Sequence, residues 1–289
     1  MPDALTMRAD VARQLQAAGV PSPFADATSI VAHALRLPPA KLATVREISE
    51  AQHQHVSEWT ARRAAREPLQ HILGVAYFRH LVLAVGPGVF IPRPETEVLV
   101  DVSLQRAPTG ARVVDLCAGS GAVGLAMATE GPALEVIAVE NQPPALRWLH
   151  RNTRTHAHAV ARAGGAFEVI EADATDNPLP GFEGAVDLVA TNPPYIPDDA
   201  TPVDPEVAKY DPPEALYGGP DGLRTVRKLA MVAARLLRSG GWLVVEHGDT
   251  QGSDIDGVPA VLAVNGRYTE ITDLPDLAGR PRVTAARRV

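Results

Sequence analysis

At 289 residues with 46% hydrophobic content, the chain exceeds one average domain and can bury a sizeable core, so one large or two unequal domains are expected. A formal net charge of −7 and a pI near 5.7 exclude an overall electrostatic footprint for nucleic acid and leave at most a local basic patch. The single cysteine, Cys117, excludes an internal disulfide. No apolar run reaches the roughly 18 residues of a membrane span, and the first residues are broken by charge, so neither a span nor a signal peptide is read and a reducing, cytoplasmic setting is expected.

From Leu5 to Ala18 the residues are good helix formers, with Val11, Leu15 and Ala18 on one face and Gly19 placed to stop the helix. A second helix follows, with Ser22 as its cap, Pro23 at the first helical position, and Ala27, Ile30, Val31, Ala34 and Leu35 as its buried stripe. After Pro38-Pro39, a short helix is expected over Ala40–Thr44. Ser49 and Gln52 then form a capping-box signature for a helix running toward Arg66, with Val56, Trp59 and Arg63 on one face. The first seventy or so residues read as a small helical bundle with no chemistry of its own. His53 and His55, like His156 and His158, are two residues apart and cannot face each other on a helix, so they read as surface histidines and not as a metal site.

Between Gly74 and Pro92 the pattern becomes β-rich. Tyr77-Phe78 and Leu81–Val85 flank Arg79-His80, and Gly86-Pro87-Gly88 marks a turn, so a β-hairpin joining two domains is expected. Arg93, Glu95 and Glu97 open a helix whose acidic first turn suits its dipole. From residue 111 strands near 112–115, 135–140, 167–173 and 186–191 alternate with helices near 121–129 and 143–154. A helix near 222–237, the apolar run Trp242–Val245 and a final strand pair (Tyr268–Asp273, Arg282–Ala286) continue the pattern. Such alternation predicts an α/β, doubly wound parallel sheet covered on both faces.

Two stretches in this region carry chemistry. In Val113–Ala126 an apolar strand runs through Asp115 and Cys117-Ala118-Gly119-Ser120-Gly121 into an apolar helix, the layout of a nucleotide-type ligand site. Glu140 ends the next apolar run about twenty residues on, where a carboxylate can accept both hydrogens of a ribose diol. Later, Thr191-Asn192-Pro193-Pro194-Tyr195 follows a buried strand. The prolines lack N–H groups, so the turn presents stiff carbonyls beside the Asn192 side-chain oxygen, a set of acceptors suited to a planar –NH₂ with Tyr195 over one face. Each stretch has a plainer reading, a helix-start turn for the first and an ordinary turn for the second. Their order along the chain favours the ligand reading. The segment 196–221, with six prolines and little periodicity, reads as a lid after this turn.

The same combination resembles the S-adenosylmethionine-dependent amino-methyltransferases. Pro68–Gly74, Tyr77-Phe78, Phe90–Glu97, Glu214–Leu223 and Val245–Gly248 narrow the resemblance to the peptide chain release factor N5-glutamine methyltransferases, over roughly residues 66 to 250. It implies a seven-stranded class I methyltransferase domain at 93–289 with an antiparallel edge hairpin, preceded by a helical substrate-docking domain at 1–74 and a β-hairpin linker at 75–92. It implies transfer of a methyl group from S-adenosyl-L-methionine, leaving S-adenosyl-L-homocysteine, to the side-chain amide of the glutamine in the Gly-Gly-Gln loop of release factors. No metal or direct nucleic-acid contact is implied, and a monomer is expected.

The residues carried over are Asn192, Pro193 and Tyr195 for catalysis, with Pro194 completing the acceptor site. Asp115, Cys117, Ala118, Gly119, Ser120, Gly121, Glu140, Asn141 and Asn192 would hold the cofactor. Phe90, Pro92 and Glu95 would wall the pocket, although helix capping alone also accounts for Arg-Pro-Glu-Thr-Glu. Asp173 or Ala174 would touch the adenine, the alternative for Asp173 being a turn cap. Many members have a large residue where Ala174 stands, which leaves the stacking partner open. Two other functions compete: an adenine-N6 methyltransferase on nucleic acid, which presents a similar amino plane but predicts a basic groove, and a non-catalytic cofactor-binding module, which would not require the acceptor clamp.

Overall fold

The computed structural model describes residues 3–253 and 255–289. Helices α1 (Ala4–Ala17), α2 (Pro23–Leu35), α3 (Glu50–Ala64) and α4 (Leu69–Leu73) come first, followed by strands β1 (Val75–Phe78) and β2 (Leu81–Ala84) and helix α5 (Glu97–Leu104). Strands β3 (Arg112–Leu116), β4 (Glu135–Glu140), β5 (Ala166–Glu171) and β6 (Val186–Thr191) follow, with helix α6 (Ala122–Glu130) after β3 and α7 (Pro143–Arg162) after β4. Beyond β6 lie α8 (Pro205–Tyr210), α9 (Arg224–Leu236), β7 (Leu237–Glu246), α10 (Val258–Asn265), β8 (Tyr268–Pro275) and β9 (Pro281–Arg288). The chain divides into two compact units, one reaching Val75 and including Val203–Tyr210, the other formed by Ala76–Pro202 and Asp211–Val289.

In the first unit α1 begins one residue before the expected start because Asp3 caps it, accepting from the Thr6 N–H at 2.7 Å. The helix ends at Ala17, so Ala18 is exposed and does not extend the buried face. Ser22 makes no side-chain cap bond, and Pro23 starts α2 with its φ already set. The Ser49–Gln52 capping box is present at α3. Met7, Val11, Leu15, Ile30, Val31, Leu42, Ile48 and Val56 form one apolar core. His55 stacks on Trp59, with ring centroids 5.6 Å apart. Arg63 is buried and bonds Asp26 at 2.7 Å and Glu206 of α8 at 2.9 Å, while Arg66 grips Glu206 through two nitrogens at 2.7 and 2.8 Å. A forked pairing of this kind fixes α8 in this unit by geometry as well as charge.

In the second unit one seven-stranded sheet has the order β5-β4-β3-β6-β7-β9-β8; β3 to β7 are parallel and β9 runs antiparallel to both neighbours. Successive side chains leave a strand on opposite faces, and for the central strands β3, β4, β6 and the end of β7 both faces are covered, which is why these read as apolar runs. Val114, Val139 and Val189 join α9 and α10 in one cluster, whereas Val113, Val136 and Leu188 join α5 and α6 in the other. The hairpin β1–β2 contributes Phe78, Leu81 and Leu83 to this second cluster. Asn152 of α7 closes on it as a backbone mimic, accepting from Ala84 N–H at 2.7 Å and donating to Ala84 O at 3.0 Å. From Ala76 onward the hairpin is therefore built into the sheet's own core. Helix α7 runs eight residues past the expected end at 154, β5 stops at Glu171, and α4 and α10 were not anticipated.

Candidate active site

Strand register builds a row of chain ends. Leu116 of β3 lies beside Val139 of β4 and Thr191 of β6, and Thr191 lies beside Val245 of β7. The next residues, Glu140, Cys117, Asn192 and Glu246, therefore emerge side by side at strand spacings of about 4.8 Å. The chain leaves β3 toward β4 and β5 on one side and β6 and β7 on the other, so this is the switch point where a doubly wound sheet binds ligands. Thr191 staples its two halves by donating from Oγ1 to Leu116 O at 2.7 Å.

On the β3–β4 side the loop turns through positive φ at Cys117 (65°), Gly119 (56°) and Gly121 (84°). A side chain at Gly119 would meet nothing within 4 Å, so the loop's backbone borders open space. Glu140 holds this loop: Oε2 accepts from Gly119 N–H at 2.8 Å, and Oε1 accepts from Asn141 and Gln142 N–H at 2.9 and 2.8 Å. A carboxylate offers about four acceptor sites. Three are engaged, so Glu140 staples the loop and keeps capacity for about one further donor. Asp115 is buried and accepts from Gly124 N–H at 2.8 Å; burial pushes its carboxyl up to about 7 against that bond, with the nearby Glu140 charge adding to the rise. Burial, then the Glu140 and Asp115 charges, push the Cys117 thiol up, which keeps it a neutral packing group.

On the β6–β7 side Asn192 is half-buried and donates from Nδ2 to Thr96 Oγ1 at 3.3 Å, leaving Oδ1 without a protein partner among the described residues. Pro193 is buried. The backbone of the turn is wedged from behind. A Cβ on Gly222, at φ 73°, would lie 2.1 Å from Tyr195 O, and one on Gly218 would lie 2.5 Å from Pro194 O; Gln251 Nε2 donates to Tyr195 O at 3.0 Å. Burial pushes the Tyr195 phenol up, so the ring is a neutral wall. The segment beyond is anchored at its base by a parallel bridge of Ile196 to Tyr217, with Ile196 N–H to Leu216 O at 2.8 Å and Gly218 N–H to Ile196 O at 2.9 Å. It is also less irregular than expected, holding α8 and a 3₁₀ turn at Pro213–Ala215.

The Phe90–Glu97 stretch makes no side-chain cap bond at Arg93 or Thr96, and its members have several partners. Arg93 covers the Phe90 ring at 5.2 Å and pairs with buried Asp211 at 2.8 Å. Pro92 is half-buried and Glu95 lies exposed on a 3₁₀ turn, Pro94–Thr96, whose buried Thr96 meets Asn192. Glu97 accepts from Arg79 N–H at 2.9 Å and thus serves the hairpin. Asp173 lies two residues beyond β5; it is exposed, and its Oδ1 accepts from both the N–H and the hydroxyl of Thr175 at 2.8 Å, the geometry of a turn cap. Ala174 is buried in the cluster with Leu116 and Val139.

Sequence reasoning did not single out Thr96, Gly218, Gly222, Gln251 or Glu246 as site residues. The signal for Glu246 was present, because it ends an apolar run as Glu140 does. Its side chain is buried, with Oε2 lacking a partner among the described residues. Burial pushes its carboxyl up to about 7, opposed by a hydrogen bond from Thr96, the Arg282 charge and a hydrogen bond from Asn192, while Glu95 adds to the rise.

The open space at Gly119 beside a fixed carboxylate fits an adenosine-bearing ligand. Comparison with known proteins agrees. Residues 6–74 match the family model of the PrmC N-terminal domain and residues 87–208 that of the methyltransferase small domain. A release factor glutamine methyltransferase of Mycolicibacterium smegmatis is 44% identical over 95% of this chain and 94% of its own. One from Streptomyces coelicolor is 44% identical over 97% and 96%. The 16S rRNA N2 G1207 methyltransferase of T. thermophilus, solved with AdoMet and guanosine, shares the fold at a TM-score of 0.51 and 20% identity, over 74% of this chain and 50% of that one. With such identity along nearly its whole length, the chain belongs to the release factor glutamine methyltransferase family.

Proposed function

We propose that this protein methylates the side-chain amide nitrogen of the glutamine in the Gly-Gly-Gln loop of peptide chain release factors. The observation that carries the reading is the Asn192–Tyr195 turn, wedged by Gly218 and Gly222 and set beside the glycine loop at the switch point. S-adenosylmethionine, when bound, supplies an electrophilic methyl group and retains the bonding electron pair as a neutral thioether. Gly119, Glu140 and their loop neighbours would hold it.

An amide nitrogen is a poor nucleophile because its lone pair is delocalised into the carbonyl, so placing it is most of the task. Asn192 Oδ1 and the Pro193 carbonyl accept the two amide hydrogens and fix the plane of the acceptor, a positioning effect worth several kcal/mol. The same oxygens face the positive charge that grows on nitrogen as the new bond forms. Tyr195, held neutral, covers the amide plane without competing as a charged group. The proton lost from nitrogen passes to solvent.

The reading extends to the rest of the chain. The helical unit docks the release factor, since a lone glutamine offers too little surface for discrimination and remote binding energy must place it. The enzyme acts as a monomer in the cytoplasm; no helix among the described residues is long and apolar enough to cross a membrane.

The test is incubation of the protein with S-adenosylmethionine and purified release factor, followed by peptide mass analysis. One added methyl on the Gly-Gly-Gln glutamine is expected. An unmodified release factor, or methylation of an oligonucleotide supplied in parallel, would overturn the reading.

A further inference from the structure

The row of strand ends contains one member for which the mechanism has no task. Glu246 stands beside Asn192 across the β6–β7 pair, and a buried carboxyl with an oxygen left unpartnered among the described residues is costly unless it serves something. Its surroundings define what it can serve. Thr96 and Asn192 are its polar neighbours, both acting to lower its carboxyl, and Asn192 Nδ2 donates to Thr96 Oγ1 at 3.3 Å. The three side chains therefore form a closed set: an ionised Glu246 can only accept, so it draws the Asn192 –NH₂ and the Thr96 O–H toward itself.

We infer that Glu246 is a positioning residue for the acceptor clamp, which in its ionised form locks the Asn192 amide with Nδ2 turned inward and Oδ1 presented to the substrate –NH₂. This inference rests on the proposed role of Asn192. A carboxylate and a carboxylic acid differ here in kind. Once protonated, Glu246 becomes a donor, can bond Asn192 Oδ1, and so supports the opposite orientation of the amide, which presents a donor to a donor. Its negative charge also lies behind the Asn192 dipole in the sense that favours positive charge on the acceptor nitrogen. Burial places the titration of this carboxyl near neutrality, at about 7. The charged groups facing it are Glu95 from the 3₁₀ turn and Arg282 from β9, with the neutral Tyr195 phenol beyond.

Turnover on release factor falls as pH drops through the Glu246 titration, about tenfold per pH unit, while KM for release factor stays within about threefold. Glu246→Gln keeps an acceptor oxygen for Thr96 and Asn192 but removes the charge. It is expected to lower kcat at pH 8 by about thirtyfold or more and to abolish the acid limb, with S-adenosylhomocysteine affinity by calorimetry within about threefold of wild type. Thr96→Val, which removes the hydroxyl that opposes the rise of the Glu246 carboxyl, should lower kcat and move that limb to higher pH.

Wild-type kcat and pH profile in Glu246→Gln overturn the inference. So does a wild-type kcat that is flat from pH 6 to 8, which decides the matter even if the variant does not fold. Asn192→Ala measured alongside separates the two readings: if it is active the clamp itself fails, and if it is inactive while Glu246→Gln is normal only the role of Glu246 fails.

Discussion

The two halves of the carboxyl edge treat their polar groups in opposite ways. On the β3–β4 half Glu140 accepts three backbone N–H bonds and Asp115 a fourth from Gly124, so the loop is complete by itself. On the β6–β7 half Asn192 has one long bond, Glu246 Oε2 has no partner, and Asp211 Oδ1 has none either among the described residues. Buried polar groups are normally satisfied, so a cluster of exceptions marks a place that a ligand finishes. On the proposed function the contrast is a division of labour: the saturated half would be a preformed seat that supplies affinity, and the unsaturated half, completed by the acceptor, would supply rate.

Substitutions can break this contrast. Asn192→Ala should lower kcat by on the order of a hundredfold, about 2.7 kcal/mol, and leave cofactor affinity within about tenfold. Steady-state kinetics with calorimetry decides it, and a variant with near-normal turnover would erase the distinction between the halves. Next in size, Gly222→Ala should destabilise by about 2 kcal/mol and lower turnover, because the new Cβ meets Tyr195 O at 2.1 Å and the φ is left-handed. Gly279→Ala shares a positive φ but has open space, so it should cost only about 1 kcal/mol by denaturant unfolding and leave turnover intact.

Glu140→Gln tests the other half. It replaces one accepting oxygen by a donor facing an N–H, and should weaken S-adenosylhomocysteine binding by about 1.5 kcal/mol. An unchanged dissociation constant would remove Glu140 from the seat. The smallest effect concerns pH and compares two glutamates of opposite fate. Burial alone would raise the Glu206 carboxyl, but hydrogen bonds from Arg66 and Arg63 hold it down to about 2, below its ordinary 4.5. A depressed carboxyl stabilises the fold above 4.5 and loses that stabilisation as pH falls toward 2, about 1 kcal/mol after solvent screening. The raised carboxyl of Glu246 has the opposite sign, so stability should rise between pH 7 and 4.5 in wild type. Calorimetric melting of the ligand-free protein against pH should show both limbs, and Glu246→Gln should reduce only the upper one, to which the raised carboxyls of Asp115 and Asp211 also contribute.

Much of this arrangement was legible in the sequence because it is local. The alternation of apolar runs and helices, the glycine loop, the acid at the end of β4 and the Asn-Pro-Pro-Tyr turn are all set by neighbours within a few residues. The illegible parts depend on pairing across the chain. Thr96 belongs to the site only because a 3₁₀ turn brings it to Asn192, 96 positions away. Glu246 is distinguished from any strand-end acid only by register with β6. The glycines at 218 and 222 read as turn formers, whereas their lack of a side chain is what lets the backbone of Pro194 and Tyr195 lie against them. Asp3 was passed over as a cap, and α4 was hidden in five residues, too few for a period to show.

One feature of the connectivity changes how the helical unit can be dissected. Because Val203–Tyr210 belongs to it, the unit is discontinuous in sequence, and the polypeptide passes between the two compact bodies three times rather than once. In the intact chain α8 meets Arg63 and Arg66 as a tethered ligand, at an effective concentration set by the covalent path and not by dilution. Cutting the gene near codon 75 turns that intramolecular encounter into a bimolecular one and leaves Glu206 as an orphaned acid on the remaining fragment. The isolated bundle, supplied in trans, should therefore recapture its partner only when concentrated, with an affinity that weakens as salt screens the two arginines.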